Sequence, residues 1–217
     1  MLPAPLNSAQ KTSPPTTLQT APSLVLGSSS VYRKELVSRW RVPFSCHSPN
    51  IDETPLQSEA PLALAQRLAL AKARAVAALH PHAFVIGSDQ VLDLGGVALG
   101  KPYTHANAVA MLRRMSGQTM QFHAAVAVAH GEQVRTGVDT VTVTFKTLSD
   151  AQIEHYLQLD QPYDCAGSCK SETLGIALCE HIVSQDPTSQ IGLPLILTQR
   201  LLAELGYEVL QHAGSAL

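Results

Sequence analysis

The stretch 84-FVIGSDQVLDLGG-96 places a carboxylate directly after an apolar run. Phe84–Ser88 has the composition of a buried central strand, and Asp89 follows it with Gln90 as its neighbour. Burying a carboxylate costs free energy unless a partner or a function uses it. Because α/β proteins bind ligands at the carboxyl ends of their strands, Asp89 is the first candidate for a functional residue.

Helical and strand patterns are interleaved on both sides of this stretch. The predicted helices are 30–40, 61–79, 104–115, 149–159 and 193–205, and the predicted strands are 24–26, 43–47, 84–88, 91–94, 97–99, 122–130, 137–145 and 207–210. The strands 122–130 and 137–145 form a predicted hairpin around Gly131 and Glu132. A hairpin among alternating helices and strands predicts an α/β fold whose sheet is mixed rather than purely parallel.

The composition excludes two broad functional classes. The chain has 217 residues, 45% of them hydrophobic and 15% charged, which suits one domain with a large core. With 15 basic and 17 acidic residues it lacks the basic surface of a nucleic-acid-binding protein. No apolar run approaches the ~18 residues of a membrane-spanning helix. We therefore expect neither a nucleic acid nor a membrane as partner.

Four cysteines, Cys46, Cys165, Cys169 and Cys179, bear on the cellular compartment. The spacing of Cys165 and Cys169 resembles half of a zinc site, but no second half follows. Reduced, mostly buried thiols are the favoured interpretation, which indicates a reducing compartment and therefore the cytoplasm.

The domain boundaries follow from a change in composition. Residues 1–22 are rich in Pro, Ser and Thr and lack the pattern of a secretory signal, so they are predicted to be a disordered leader. Residues 23–212 are predicted to form the folded domain, and 213–217 a tail.

Cationic and hydroxyl side chains occur at several predicted turns and helix faces. In 28-SSSVYRK-34, amide groups at a helix start, with Arg33 nearby, could bind a phosphate, or the serines could simply cap the helix. Lys72 lies beside an apolar helical stripe and either extends to water or faces a cleft. Lys101 occupies the tight turn 100-GKP-102, where lysines are usually solvated. Glu53, next to Asp52 in a loop, could bind a divalent cation through its oxygens or could be an ordinary surface acid.

These residues together indicate one reaction class. Two or three cations, two or three carboxylates and a hydroxyl-rich turn are what metal-assisted attack of water on a polyphosphate needs. The chain shows no Ser-His-Asp order and no GxSxG or catalytic-cysteine signature that would favour another hydrolase.

The chain from Leu24 to about Leu210 resembles the Maf family of nucleotide pyrophosphatases. The matching segments are LVLGSSSVYRKEL, IDET, RLALAKARAV, FVIGSDQV, GKP, AVAMLRRMSGQT, VTFKTLSDAQIEHYL, DCAGSCKSETLGI and IGLPLI. The resemblance implies an α/β fold of the Maf/ITPase-like kind, with a twisted mixed β-sheet flanked by helices and two lobes around a deep central cleft. It also implies a possible homodimer and hydrolysis of nucleoside triphosphates between the α and β phosphates with a divalent cation (Mg, Mn or Co).

The same resemblance implies roles for individual residues. Asp89 matches the proton acceptor that activates water, and Glu53, alone or together with Asp89, matches a metal ligand. The matching phosphate-binding positions are Ser28, Arg33, Lys72 and Lys101. The chain is accordingly expected to act on a small-molecule nucleotide.

Three positions match the family's specificity determinants: Tyr32, Gln90 and Glu172. Asp-Gln together with GSxKSE resembles the branch that acts on 7-methyl-GTP, whereas the dTTP and UTP branch has Asp-Thr, an Arg at Tyr32 and a Gln at Glu172. An aromatic face and a carboxylate suit the cationic 7-methylguanine. Cys169 stands where the family commonly has an aromatic residue. The alternatives are a nucleotide pyrophosphatase of broader specificity and a nucleotide-binding regulator of cell division or septum formation.

Overall fold

A computed structural model describes residues 22–214, which fold around one mixed sheet. Its strands are β1 (Leu24–Gly27), β2 (Ser45–Cys46), β3 (Phe84–Leu94), β4 (Val97–Leu99), β5 (Thr119–His130), β6 (Gln133–Phe145) and β7 (Cys179–Val183). The order is β2-β1-β3-β5-β6-β7, with β4 paired to β3. β1 runs parallel to β2 and β3, and all other pairs are antiparallel. The predicted mixed sheet is confirmed.

Within residues 22–214, six α-helices surround the sheet: α1 (Val31–Ser38), α2 (Pro61–Ala77), α3 (His105–Met115), α4 (Asp150–Asp160), α5 (Leu195–Glu204) and α6 (Val209–His212). Local sequence signals set where they begin. Pro61 occupies the first turn of α2, where its missing N–H costs nothing. Ser149 and Gln152 form a capping box at α4, as predicted.

The strand β3 is longer than predicted and has two different neighbours along one edge. Its first part pairs with β1 over residues 84–87, and its last part pairs with β4 over residues 92–94. Between them, no described strand pairs with residues 88–91 on that edge, although β5 pairs with β3 along the other. The sheet therefore opens at Asp89 and Gln90.

Two large apolar clusters lie at the two ends of β3. Phe84 and Ile86 belong to a cluster with β1, α1, α5 and α6, whereas Leu92 belongs to a cluster with α3, α4 and the ends of β5 and β6. Each cluster supplies the core of one lobe, and the unpaired section of β3 lies between them. Both lobes thus share a single strand.

One predicted strand and one segment predicted to be irregular need correction. Residues 207–210 do not form a strand: Val209–His212 is the short helix α6. Tyr207 and Val209 are buried at alternate positions, which imitates a strand pattern. Cys179–Val183, predicted to be irregular, is the edge strand β7, whose mostly exposed side chains give no such pattern.

The predicted terminal segments lie largely beyond what the structure describes. Of the leader 1–22 and the tail 213–217, residues 1–21 and 215–217 fall outside the described range. Among the helices within that range, none is long and apolar enough to cross a membrane.

Candidate active site

A buried ion-pair cluster lies on the α2 side of the open section of β3. The Lys72 ammonium is 2.7 Å from Asp89 Oδ1 and 3.0 Å from Glu53 Oε1. The side chains of Lys72 and Asp89 are only 6% and 10% exposed, whereas that of Glu53 is 55% exposed. Lys72 is therefore buried against Asp89 at the open section of β3 instead of extending to water, and it balances the charge of the buried carboxylate.

Gly87 allows α2 to approach β3 closely enough for this contact. A Cβ atom built on Gly87 would lie 2.3 Å from Ala73 N and 2.5 Å from Ala69 O, both in the backbone of α2. Because only glycine fits between the helix and the strand, it sets the distance that brings Lys72 onto Asp89.

Arg67 fixes the loop that carries Glu53. Its guanidinium donates to Thr54 O at 3.0 Å and to both Glu59 oxygens at 2.6 and 2.8 Å. Hydrogen bonds from Arg67 and from the Leu56 amide lower the pKa of Glu59 to about 2. Glu53 is thereby held next to Lys72.

The other face of β3 carries a second group of contacts. Successive residues of a strand point to opposite faces, so Ser88 and Gln90 point away from Asp89. Gln90 Nε2 donates to Ser189 O at 2.8 Å and to Gln190 O at 3.0 Å. Ser88 Oγ donates to Gly192 O at 3.2 Å. These bonds hold the segment 189–192 against the opening of the sheet.

Arg33 joins the two groups of contacts. Its Nε donates to Gly192 O at 2.9 Å. Burial lowers the pKa of the guanidinium, while the carboxylates of Asp89 and Glu53 oppose that shift. Arginine stays protonated in proteins, so Arg33 brings a permanent positive charge close to the acidic cluster.

A cavity of about 370 Å³ lies beside the segment 189–192. Glu172, Ile176, Ile182, Gln190 and Ile191 are among its lining residues. Glu172 thus lines the cavity directly. Gln90 does not line the cavity, but its amide donates to the carbonyl of Gln190 and so positions a residue that does.

Asp186 is a residue of this region that sequence reasoning missed. Its carboxylate is buried and accepts hydrogen bonds from Thr188 N and Thr188 Oγ1 at 2.9 and 2.6 Å, and from Ile196 N at 2.6 Å. It therefore caps α5 and anchors the segment that runs into 189–192. The sequence signal for this cap is Asp-Pro-Thr at 186–188, shortly before the Leu-Pro start of the helix.

Tyr32 lies apart from the cavity lining. Its hydroxyl donates to Asp164 Oδ2 at 3.2 Å, and the Lys170 ammonium lies 5.9 Å from the centre of its ring. Burial is the first cause that raises the pKa of Tyr32, followed by the Cys165 thiol. The Tyr32 ring therefore already faces a cation, near the limiting distance of a cation–π contact.

Ser28 and Lys101 complete the set of predicted residues. Ser28 is buried, and its Oγ accepts a hydrogen bond from Ser30 N at 3.1 Å, while the Ser30 side chain caps α1. Both serines thus serve the turn, as the capping alternative predicted. Lys101 is exposed and, among the described residues, makes no side-chain hydrogen bond or ion pair. It lies two residues after Leu99, which pairs with Leu92.

Comparisons with known proteins assign the family. A family model described as "Maf-like protein" matches residues 23–205. The chain belongs to the Maf family. Its relatives include proteins named 7-methyl-GTP pyrophosphatase from Polaromonas sp., 52% identical over 197 residues that cover 90% of each chain, and from Cupriavidus metallidurans, 52% identical over 87% of this chain and 96% of that protein. A Bordetella pertussis protein of the same name is 51% identical over 87% of this chain and 95% of its own length.

Among solved structures, a partial likeness is found to a bacterial protein. The Staphylococcus aureus Ham1 protein aligns with a TM-score of 0.41 and 18% identity, over 59% of this Maf chain and 72% of its own. A likeness this partial has no bearing on function.

Glu53 and Asp89 are the acidic residues of this Maf chain that could bind a metal ion. Within residues 22–214 no group of three or more His, Cys, Asp or Glu side chains is arranged to hold a metal ion. Glu53 Oε1 and Asp89 Oδ1 both contact the Lys72 ammonium, which brings the two carboxylates together; their second oxygens, which do not contact Lys72, would be the metal ligands. Magnesium commonly takes one or two protein carboxylates and completes its shell with water and substrate phosphates. The two residues fit that mode of binding.

Proposed function

We propose that this chain hydrolyses 7-methyl-GTP to 7-methyl-GMP and diphosphate. The observation that carries the proposal is the buried Asp89 carboxylate, held by Lys72 at the section of β3 where the sheet opens. A buried carboxylate, two nearby cations and a cavity beyond segment 189–192 are parts that hydrolysis of a bound polyphosphate requires. The names of the relatives support the choice of nucleotide.

Asp89 acts as the general base. Lys72 donates to Oδ1, and among the described residues Oδ2 accepts no hydrogen bond, so this oxygen can accept a proton from water. The water oxygen attacks the α-phosphorus as its proton passes to Asp89, and the bond to the β-phosphate oxygen breaks to release diphosphate. Lys72 holds the carboxylate in place during this transfer.

The cations stabilise the charge that develops on the phosphates. Arg33 is anchored on Gly192 O and Lys72 on Asp89, so both bring positive charge to the opening without reorganisation. Lys101, on the neighbouring turn, is free to reach an outer phosphate. Ser28 acts through the turn that presents the amides preceding α1.

A divalent cation, Mg, Mn or Co, belongs to this proposal. Glu53 and Asp89 would hold it, and its chemistry is to neutralise phosphate charge as a Lewis acid. The proposed setting is the cytoplasm, and a homodimer stays a prediction from the family resemblance.

Selectivity for the base is assigned to the cavity. Glu172 places a carboxylate where a cationic 7-methylguanine gains more than neutral guanine. Gln90 keeps the opposite wall in position through its two bonds to segment 189–192. Tyr32 lies outside the cavity lining, and its ring, which faces the Lys170 ammonium, is the proposed aromatic contact for a base that reaches beyond the cavity.

A nucleotide screen tests the proposal. The purified full chain is incubated with Mg, Mn or Co and with 7-methyl-GTP, GTP, dTTP or UTP, and the products are separated by chromatography. We expect 7-methyl-GMP and diphosphate, with a higher kcat/KM for 7-methyl-GTP than for the other nucleotides. Release of orthophosphate, or absence of cleavage with all three metals, would contradict the proposal.

A further inference from the structure

Two thiols of this chain converge on one carbonyl oxygen. The Sγ atoms of Cys169 and Cys179 both lie 3.7 Å from Gly175 O, to which each S–H can donate. Cys169 is half-buried and Cys179 is buried at the start of β7. The two cysteines are ten positions apart in the sequence, and their shared contact with Gly175 O makes them neighbours in the fold.

The two thiols differ in acidity. A hydrogen bond from the Cys169 thiol is the first cause that lowers the pKa of Cys179, and the Lys146 cation contributes. The same hydrogen bond and burial raise the pKa of Cys169. Cys179 is consequently the sulfur that ionises first, and its thiolate would draw the single S–H of Cys169 away from Gly175 O.

The segment between the two cysteines is part of the candidate site. Tyr156 Oη accepts a hydrogen bond from Lys170 N at 3.2 Å, and Gly175 packs against the same residue, where a Cβ would lie 2.5 Å from Lys170 O. Glu172, within this segment, lines the cavity. The position of Glu172 therefore depends on how the two ends of the segment are held.

We propose that Cys169 and Cys179 are a redox-active pair that forms a reversible disulfide with a small organic disulfide, such as oxidised glutathione, as the oxidant. The Cys179 thiolate attacks one sulfur of the oxidant, which forms a mixed disulfide and expels one thiolate. Cys169 then loses its proton and attacks Cys179 Sγ, which expels the second thiolate. Two cysteine thiols are oxidised to one disulfide, and the oxidant is reduced to two thiols.

Formation of the bond changes the candidate site. A disulfide holds its sulfurs about 2.0 Å apart and uses up both S–H groups, so Gly175 O loses both donors. Gly175 already packs tightly against the Lys170 backbone, and the strain of bridging therefore passes along the segment to Glu172. Oxidation is therefore expected to lower kcat/KM for 7-methyl-GTP. This consequence rests on the proposed function.

Peptide mapping tests the pair. The full chain is treated with oxidised glutathione, the remaining thiols are alkylated, and the peptides are identified by mass spectrometry. We expect a Cys169–Cys179 bridge in the parent and in Cys46→Ser and Cys165→Ser variants. In Cys169→Ser we expect a glutathione adduct on Cys179 instead. A Cys165–Cys169 bridge, glutathione adducts without a bridge, or unreacted thiols at both positions would overturn the proposal.

Activity is measured on the same samples. Oxidation should lower kcat/KM for 7-methyl-GTP about tenfold, within the range that a small displacement of a binding group can cost, and dithiothreitol should restore it. Cys169→Ser should show the same activity before and after oxidation. A bridge that leaves kcat/KM unchanged would overturn the effect on the site. A bridge in a chain that cleaves no nucleotide would instead refute the proposed function and leave the redox pair standing.

Discussion

At the scale of single residues, Lys72 is shared by two carboxylates. Its ammonium touches Asp89 and Glu53, and both Lys72 and Asp89 are almost fully shielded from water. Removal of one partner from a buried ion pair leaves the other charge uncompensated, which commonly costs more than the pair contributes.

Replacement of Lys72 by Met should therefore destabilise the fold by about 3 kcal/mol at neutral pH. The double variant Lys72→Met/Asp89→Asn should recover most of this loss, because no buried charge remains. Urea denaturation followed by circular dichroism measures the free energy of unfolding. Lys34→Met, at an exposed position of α1, is the control, and equal effects of the two lysine substitutions would contradict the role of Lys72.

Glu172 carries the prediction on selectivity. Glu172→Gln keeps the shape of the side chain and removes its charge, so it should lower the ratio of kcat/KM for 7-methyl-GTP to kcat/KM for GTP about tenfold. Glu180→Gln, at an exposed position of β7, is the matched control. If the ratio is the same in the parent and in Glu172→Gln, the carboxylate does not recognise the base.

The residue types of the site could be predicted from the sequence, but their partners could not. An acid after an apolar strand identifies Asp89 because burial of a charge needs a reason. Lys72 was ambiguous because a helical stripe does not reveal whether its edge faces water or a cleft. Only the close approach of α2 at Gly87 decides between the two. The bonds of Gln90 to segment 189–192 join residues about a hundred positions apart, which no local pattern encodes.

At the scale of elements, the packing of α2 on β3 depends on Gly87. Gly87→Ala would place a Cβ against the α2 backbone, and overpacking of this kind costs about 1–3 kcal/mol. Gly100→Ala is the control, because a Cβ there meets no atom within 4 Å. We expect Gly87→Ala to lower the free energy of unfolding in urea and the kcat, since α2 also positions Lys72. Parental behaviour of Gly87→Ala would show that the helix does not need this contact.

The loop before α2 should respond to pH through Glu59. Its pKa is about 2 in the folded chain and 4.5 without interactions, so its contribution to stability is fully present above pH 4.5 and declines as the pH falls towards 2. Glu59→Gln should therefore lower the Tm at pH 7 and lower it less at pH 3. Glu35→Gln, whose Arg39 partner is 3.9 Å away at the surface, should change the Tm little at either pH. An equal loss for Glu59→Gln at both pH values would contradict this account.

Elements with strong local signals could be predicted, and those without could not. The hairpin β5–β6 and the capped helix α4 follow from alternation and a capping box. The edge strand β7 was missed because an edge strand with exposed side chains has no apolar alternation. The strand predicted at 207–210 was wrong for the opposite reason. Tyr207 and Val209 are buried at alternate positions, but this pattern also suits a short helix in a core.

At the scale of the whole molecule, one strand serves both cores and the site between them. β1 and β4 pair with different parts of the same edge of β3, and the section between them bears Asp89 and Gln90. Apolar patterns predict that β3 is buried, but they do not say which strands pair with it. The opening of the sheet is therefore a property of the complete fold, and it lies at the carboxylate that we propose as the general base.

The most direct test of the central claim compares two aspartates on the same face of β3. Asp89→Asn should keep the fold by circular dichroism and lose about 10²–10⁴-fold in kcat for 7-methyl-GTP, because it removes the general base. Asp93→Asn, four residues further along, should retain kcat close to the parent, because Asp93 accepts a turn hydrogen bond from Gly96 and faces His123. A folded Asp89→Asn variant with parental kcat would contradict the role of Asp89 as the base that activates water.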